Sequence, residues 1–572
     1  MLDNLTKNRI TRARNYRRNF EDEWSEIEKQ VNCIEPDEWD DKEDWQTKIF
    51  IGMQSKTSET AAAMFSEIMF PRKQFYSIIG VGEEDRQLVN DLTRLINSLL
   101  ERGKFYLHND YVQQESIDLG TSFMKVVATG DGLEFSWRSV LNCLVDPDAI
   151  VDFSKSKFWA EEYIKDIEEI LAEKEYYGDV KLQLLEDLAK QSYRKLDSDT
   201  IMYNEVGFDV SKSLRGVKIL EYWTKKKILI IANDNYVLKE EENPYGCIPV
   251  VMSRKKRRKY HIYGKGYHYN TRGLQELMNS IINFGFDSLK INSFDIILLD
   301  RSAIADASTI EYKPLAVWEM KAGRIENGVK IQRNPQSAIH DIFKGMLIID
   351  QFHQEISGVT KHAQGAPTLS KGEQETLGEY QLKLQAISKR FLKVAREDEE
   401  DYVVPLLRLV FKIITNPKLF NQKIADRILG YNEETLEIPD PITGQTIKQR
   451  IQVPKLMLKN LGEMDIDFIA VGTTRFEVKL NTLAKLKDAM AMIMSSEDLM
   501  FEWKIEKVFE RYMELLDIPD FASMKRSEEE KEEIRQQMMM QQEQQANMMQ
   551  DQAILDFGKE LLKYDSFRRP NK

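Results

Sequence analysis

Two stretches with a helical apolar period flank one short insert, and that arrangement limits what the chain can fold into. Along Gln275–Leu289, Met278, Ile281 and Gly285 line one stripe with the preceding Leu274. In Ser337–Ile356, the apolar residues are Ile339, Ile342, Phe343, Met346, Ile349, Phe352 and Ile356. Between them, from about Phe294 to Asn334, lies a strand-like segment punctuated by glycine. Two helices joined in this way lie side by side and place the insert at one end of the pair.

The sequence before this pair alternates helix and strand. Helical spacing runs through Leu5–Val31, where Ile10, Tyr16, Phe20, Trp24, Ile27 and Val31 form the apolar set. An acidic, Trp-containing loop follows (Glu35 to Trp45), then expected helices at Ser55–Ile68, Glu84–Glu101 and Tyr106–Leu119. Short strands are expected at Ser122–Val127, Leu133–Trp137 and Cys143–Val145. A second strand group covers Gly216–Tyr222, Lys227–Ala232 and Asn235–Leu238, around an Asn233-Asp234 turn.

After the pair comes a loop, Gly358–Gly372, and then a long helix from about Glu373 to Thr415. Pro405 should kink that helix, because proline removes one hydrogen bond and its ring clashes with the preceding turn. Ile438-Pro439-Asp440-Pro441 reads as a connector with a short mixed segment after it, and helices return over Leu480–Leu516. The Gln/Met-rich stretch Gln536–Gln552 is either a helix that needs packing partners or a frayed terminus. At 572 residues the chain is long enough for two to four domains, and the class expected is α+β, mainly helical.

Several function classes find no support. There is no phosphate-cradling G-x-x-x-x-G-K-[ST] loop, no G-x-S-x-G elbow and no H-E-x-x-H pair. The six histidines and three cysteines form no cluster at metal spacing; His261 and His268, seven apart, are the nearest approach to one. No catalytic, cofactor-binding or metal residue is therefore assigned. No apolar run approaches the ~20 residues of a membrane span, and Met1–Arg18 has no apolar signal core. The net charge of -13 argues against a protein that grips nucleic acid tightly, but not against one past which a duplex slides.

Three features point to contacts. The run Arg254, Lys255, Lys256, Arg257, Arg258 and Lys259 suits nucleic acid, an acidic neighbouring subunit or a plain solvated strand. The loop Gly358–Gly372 carries Lys361, His362 and Lys371 among small residues, a pattern for brief phosphate contact or an ordinary surface loop. Asn279, Asn283 and Asp287 recur every four residues and form one polar stripe, suited to a non-adhesive channel wall or to a solvated face.

Four segments together resemble the portal (head-to-tail connector) family of tailed bacteriophages, in particular short-tailed ones. They are Thr60–Tyr76 with Phe70-Pro71 ahead of Phe75; Gly120–Val126 followed by Asp146-Pro147; Tyr263-Gly264-Lys265-Gly266 leading into Gln275, Asn279, Asn283 and Asp287; and Gly358-Val359-Thr360 with Gly365, Thr376 and Glu379 before the long helix. They occur in the family's order over about Thr60–Thr415; Thr473–Leu483 departs from the family's pattern.

The resemblance implies a wing over residues 1–265, a first stem helix over 266–293, a clip over 294–335 and a second stem helix over 336–357. It further implies a channel loop over 358–374, a long kinked helix over 375–415, a wing return over 416–480 and a helical crown over 481–572. It implies a homo-oligomeric ring, most often a dodecamer, at one capsid vertex of the virion, assembled in the host cytoplasm. Its expected partners are double-stranded DNA in transit, the terminase large subunit, tail adaptor proteins, and the major capsid and scaffolding proteins, with no membrane and no cofactor. An oligomeric scaffold or ejection protein is the main alternative, and a packaging ATPase-nuclease the less favoured one.

Overall fold

The computed structural model describes residues 2–70, 75–79, 86–178, 180–199, 216–292, 296–300, 302, 321, 329–332, 339–359, 389–439, 446–461 and 466–473, and a few helical residues between 486 and 509. The chain forms two compact units, Met1–Thr473 and Thr474–Lys572. The described architecture belongs to the first unit and mixes helix with strand, as an α+β chain does.

Helix α1 (Asn4–Val31) starts where the Asp3 side chain accepts from the Thr6 N–H. Its buried face is Ile10, Ala13, Phe20, Trp24 and Ile27. Tyr16, expected on that face, lies beside it and stacks on Tyr263 at 5.7 Å. Helix α2 (Met53–Met69) follows, then β1 (Tyr76–Ile79), α3 (Arg86–Arg102) and α4 (Phe105–Asp118). An aromatic core gathers here: Phe70 meets Phe75 at 5.2 Å, and Phe105 lies 6.0 Å from Phe75 and 5.4 Å from Phe135.

Strands β2 (Thr121–Thr129), β3 (Gly132–Arg138), β4 (Cys143–Val145) and β5 (Trp159–Asp166) come next. Three helices follow, α5 (Ile167–Ala172), α6 (Lys174–Tyr177) and α7 (Leu182–Asp199). Strands β6 (Gly216–Trp223), β7 (Lys227–Ala232) and β8 (Tyr236–Glu242) complete an antiparallel five-stranded sheet in the order β4-β5-β6-β7-β8. Asn233 and Asp234 both take positive φ in the β7–β8 turn, the backbone that a tight hairpin turn requires.

Both faces of this sheet are covered. Ile10 and Ala13 of α1 pack on Leu220, Tyr222, Leu229 and Ile231. Ile167, Ile170, Leu185 and Leu188 pack on Val217, Ile219, Ile230 and Ala232 on the other side. A strand buried on both faces reads as a continuous apolar run, which explains Lys227–Ala232.

Strand β9 (Val250–Arg254) pairs with β2 in a three-stranded sheet, and β10 (Lys256–Arg258) pairs with β11 (His261–Lys265). Helix α8 (Arg272–Asn292) and helix α9 (Ile339–Ser357) then pack together, and β12 (Ile296–Leu299) and β13 (Val329–Gln332), from the insert between them, pair antiparallel. Gly285 permits the close approach of the two helices, since a Cβ there would lie 2.9 Å from Ile342.

Of the long helix, residues 389–398 (α10) and α11 (Val404–Ile414) are described, joined by a π-helical stretch, Glu399–Val403. The discontinuity expected at Pro405 thus falls one turn earlier, as a widening. Pro405 has no N–H to offer the preceding turn, and its ring crowds the carbonyl there.

Helix α12 (Gln422–Leu429) leads into β14 (Tyr431–Pro439) and β15 (Thr446–Pro454), an antiparallel ribbon in unbroken register. This corrects the first half of the connector read at Ile438–Pro441: Ile438 and Pro439 close β14, while 440 and 441 lie outside the described residues. Helix α13 (Leu458–Leu461) and β16 (Asp467–Ala470) follow, and β16 pairs with β1.

Candidate functional site

The polar stripe on α8 does not face outward. Asn279 and Asn283 are buried, and with Gln275 and Asp287 they hold the segment from Thr47 to Met53, the first residue of α2, against the helix. Gln275 accepts from the Met53 N–H at 3.0 Å and donates to the Ile51 carbonyl. Asn279 accepts from the Ile51 N–H at 2.9 Å, Asn283 from that of Ile49 at 2.7 Å and Asp287 from that of Thr47 at 2.7 Å. Lys290 closes the series on the Trp45 carbonyl at 2.7 Å. Helix side chains thus do for this segment what a neighbouring strand would do. The expectation of a channel-lining stripe is corrected, because these groups are already bonded within their own chain.

The basic run is likewise largely engaged inside the subunit. Arg254 and Lys255 are almost fully buried. Lys255 donates to Asp398 and to Gln113, both at 2.5 Å. Arg254 reaches Asp401 at 2.9 Å and the carbonyls of Ile150 and Val151. Arg257 makes a two-pronged contact with Asp401 at 3.0 and 2.9 Å and meets Glu400 at 3.2 Å. Arg258 pairs with Glu23 at 2.9 Å. Lys256 lies against the Tyr267 ring, and Lys259 is exposed. Burial pulls the Lys255 amine below the usual lysine range, and Asp398 offsets only part of that.

The partner missed from the sequence is the acidic run Glu397–Asp401. A second charge run of opposite sign and similar length was the available signal. The π-helical widening overlaps it, and within that stretch Glu399 accepts from the Thr473 N–H at 2.8 Å and hydroxyl at 2.6 Å.

The glycines of the motifs at 120 and 263–266 meet in space. Gly264 and Lys265 pass so close to Gly120, and Gly266 so close to the end of α4, that a Cβ on Gly266 would sit 1.8 Å from the Asp118 carbonyl oxygen. Backbone bonds complete the junction, from Tyr267 N–H to Ile117 at 2.7 Å and from Lys255 N–H to Gly120 at 3.2 Å. Beside it, His268 is buried between Asp118, at 2.8 Å, and Gln54. His261 instead contacts the Tyr16 hydroxyl at 3.1 Å, so the two histidines share no ligand. Among the described residues no group of three His, Cys, Asp or Glu side chains could hold a metal, and no helix is long and apolar enough to cross a membrane.

Helices α8 and α9 expose large apolar side chains. On α8 these include Leu277, Phe284 and Ile291, seven residues apart, with Phe284 70% exposed. On α9, Phe343, Leu347, Ile348 and Phe352 are exposed, Leu347 at 66%, while Ile349 and His353 on the opposite side are buried. Helix α9 is therefore apolar on both sides. Leu347 and Ile348, which fall outside the stripe read from Ile342, Met346 and Ile349, were the signal for this.

Lys361, His362 and Lys371 lie outside the described residues, as do nearly all of Leu480–Leu516 and the Gln/Met-rich tail. The chain matches no protein-family model and no curated protein.

Proposed function

We propose that this chain is a subunit of the portal ring of a tailed bacteriophage, the channel through which DNA enters and leaves the capsid. The observation that carries the reading is the two-sided apolar character of α9 beside the exposed Leu277, Phe284 and Ile291 of α8. An exposed helix face that carries Phe343, Leu347, Ile348, Phe352 and Ile356 between a few polar residues is more apolar than a lone surface helix needs. Side-by-side copies, each using one face of the pair against a different face of the next, cover it, and a head-to-tail contact of that kind closes into a ring.

In this reading α8 and α9 are the stem, and the β12–β13 end is the clip, where the terminase large subunit and tail adaptor proteins dock. The wing comprises the sheets and helices before α8. The loop after Gly358 meets passing DNA through Lys361, His362 and Lys371. The major capsid and scaffolding proteins surround the ring at its vertex, and a dodecamer is the expected count. The chain supplies no catalysis; the packaging motor is a separate protein.

The test is electron microscopy of the purified protein with a parallel mass measurement. Rings with a central hole support the reading. Rods or irregular assemblies favour the scaffold or ejection protein, and ATP turnover by the chain alone rejects the portal.

A further inference from the structure

Lys256 and Lys265 stand directly opposite each other in the β10–β11 pair. Like charges in that relation destabilise a strand pair. Neither is relieved by an acid: among the described residues no carboxylate pairs with either lysine, whereas Arg254, Lys255, Arg257 and Arg258 all have acidic partners. Each lysine lies instead over a tyrosine ring, Lys256 Nζ 3.7 Å from the centre of Tyr267 and Lys265 Nζ 4.1 Å from that of Tyr269. These contacts hold the two ammonium groups in place without neutralising them.

A third cation lies within electrostatic reach of Lys256. Phe391 stacks on Tyr267 at 5.5 Å with rings nearly parallel, and the adjacent Arg390 donates to the Glu355 carbonyl at 3.0 Å. Arg390 is exposed, has no carboxylate partner among the described residues, and lies beside Gly358, where the second helix of the pair ends. Its charge and that of Lys265, after burial, push the Lys256 amine down to about 8. Glu397, the acid whose charge reaches Tyr267, sits 3.9 Å from Lys393.

We infer that Lys256, Lys265 and Arg390 form a cradle for a phosphate group of the kind carried by a nucleic-acid backbone. Two lysines act as point charges and the guanidinium keeps a fork of free donors. A tetrahedral oxyanion presents enough oxygens to face all three at once, while one carboxylate has only two. The inference goes beyond the ring reading and does not require it, because a phosphate cradle needs only one copy of the chain.

The experiment uses the full-length protein. A labelled short DNA duplex is titrated by fluorescence anisotropy over a range of salt, and inorganic phosphate by thermal shift. The variants are Lys265→Gln, Arg390→Gln and the charge-preserving Lys265→Arg; Lys256 is left in place because it packs on Tyr267. Each Gln variant should weaken the duplex on the order of tenfold at ~0.05 M salt and reduce the salt slope by about 1, with Lys265→Arg close to wild type. Phosphate stabilisation lost in the Gln variants, with no effect on the duplex, keeps the cradle and assigns it to a free anion. Unchanged duplex affinity, slope and phosphate shift in both Gln variants overturn the inference. So does loss of assembly with phosphate and duplex binding intact, since the cluster then belongs to a subunit contact. Ring formation is scored separately by microscopy, so failure of the portal reading leaves this result interpretable.

Discussion

Asn283 meets Ile49 twice: its Oδ1 accepts from the Ile49 N–H at 2.7 Å, and its Nδ2 donates to the Ile49 carbonyl at 3.1 Å. One side-chain amide thus satisfies both polar groups of a residue 234 positions away. Asn283→Ala leaves both groups without their partner and should lower stability by about 1–3 kcal/mol. Amide exchange locates the effect. The Ile49 N–H should exchange faster while the α1 amides stay protected; unchanged protection at Ile49 would show that the bond contributes nothing there.

Lys255 and Asp398 form the most deeply buried ion pair described, with both side chains fully covered. Removing one member strands a charge, so Lys255→Met should cost about 3–5 kcal/mol. Adding Asp398→Leu should restore only part of that, because Asp398 also accepts from Ser253 Oγ at 2.7 Å and from the Arg254 N–H at 3.2 Å. Urea midpoints of the two variants test this, and a single variant as stable as wild type refutes it.

Glu28 sets a pH dependence. Burial pushes its carboxyl up to about 8, with Asp118 and Glu115 acting in the same direction. Between about pH 4.5 and pH 8 the folded state holds a proton that the unfolded chain lacks, so this group's contribution falls as pH rises, by up to about 1.4 kcal/mol per pH unit. Glu28→Gln keeps an acceptor for Asn32, 3.1 Å away, and removes the titration. The variant should gain on wild type from pH 5 to 8 and hold a constant difference above that. His353, lowered to about 4 by burial and by His268, destabilises on acidification instead and cancels in the comparison. A difference independent of pH would exclude the Glu28 assignment.

The exposed side of α9 is the natural place to separate folding from assembly. Phe343→Ser, Leu347→Ser and Phe352→Ser together remove apolar surface that already faces water in the single subunit. Monomer stability should change by less than about 1 kcal/mol, as for surface sites away from special features, while assembly is lost. Sedimentation velocity reads the second and denaturation the first. Full assembly by the triple variant would remove the main support for the ring.

Much of the fold was legible because local pattern and burial agree. The Lys227–Ala232 run and the Asn233-Asp234 turn are strand and hairpin signals that tertiary context does not override. Strand β5 was missed because Trp159–Asp166 carries Glu161 and Glu162, which read as solvent-facing. Both are buried; Glu162 is held at about 2 because Arg17, Arg14 and Lys218 outweigh its burial. Three cations from distant positions cannot be inferred from the local sequence. The functional surfaces failed for the same reason. Asn279 and Asn283 looked like a solvated or channel-facing stripe until residues 49 and 51 were placed on them, and the basic run looked free until the 397–401 turn closed over it.

The pairing of residues 45–53 with α8 also has a built-in length limit. Each rung advances four residues on the helix, about 6.0 Å, and two on the facing segment, about 6.6 Å for extended backbone. The two scales differ by only ~0.6 Å per rung, which the side chains absorb: the contacts measure 3.0, 2.9, 2.7 and 2.7 Å from Met53 to Thr47. The next position in the helical series is Ile291, which has no hydrogen-bonding side chain, and the reach to Trp45 passes to the long, flexible Lys290. The seam therefore ends where the four-residue polar series ends, and one residue inserted into either partner between two rungs would put every later rung out of register.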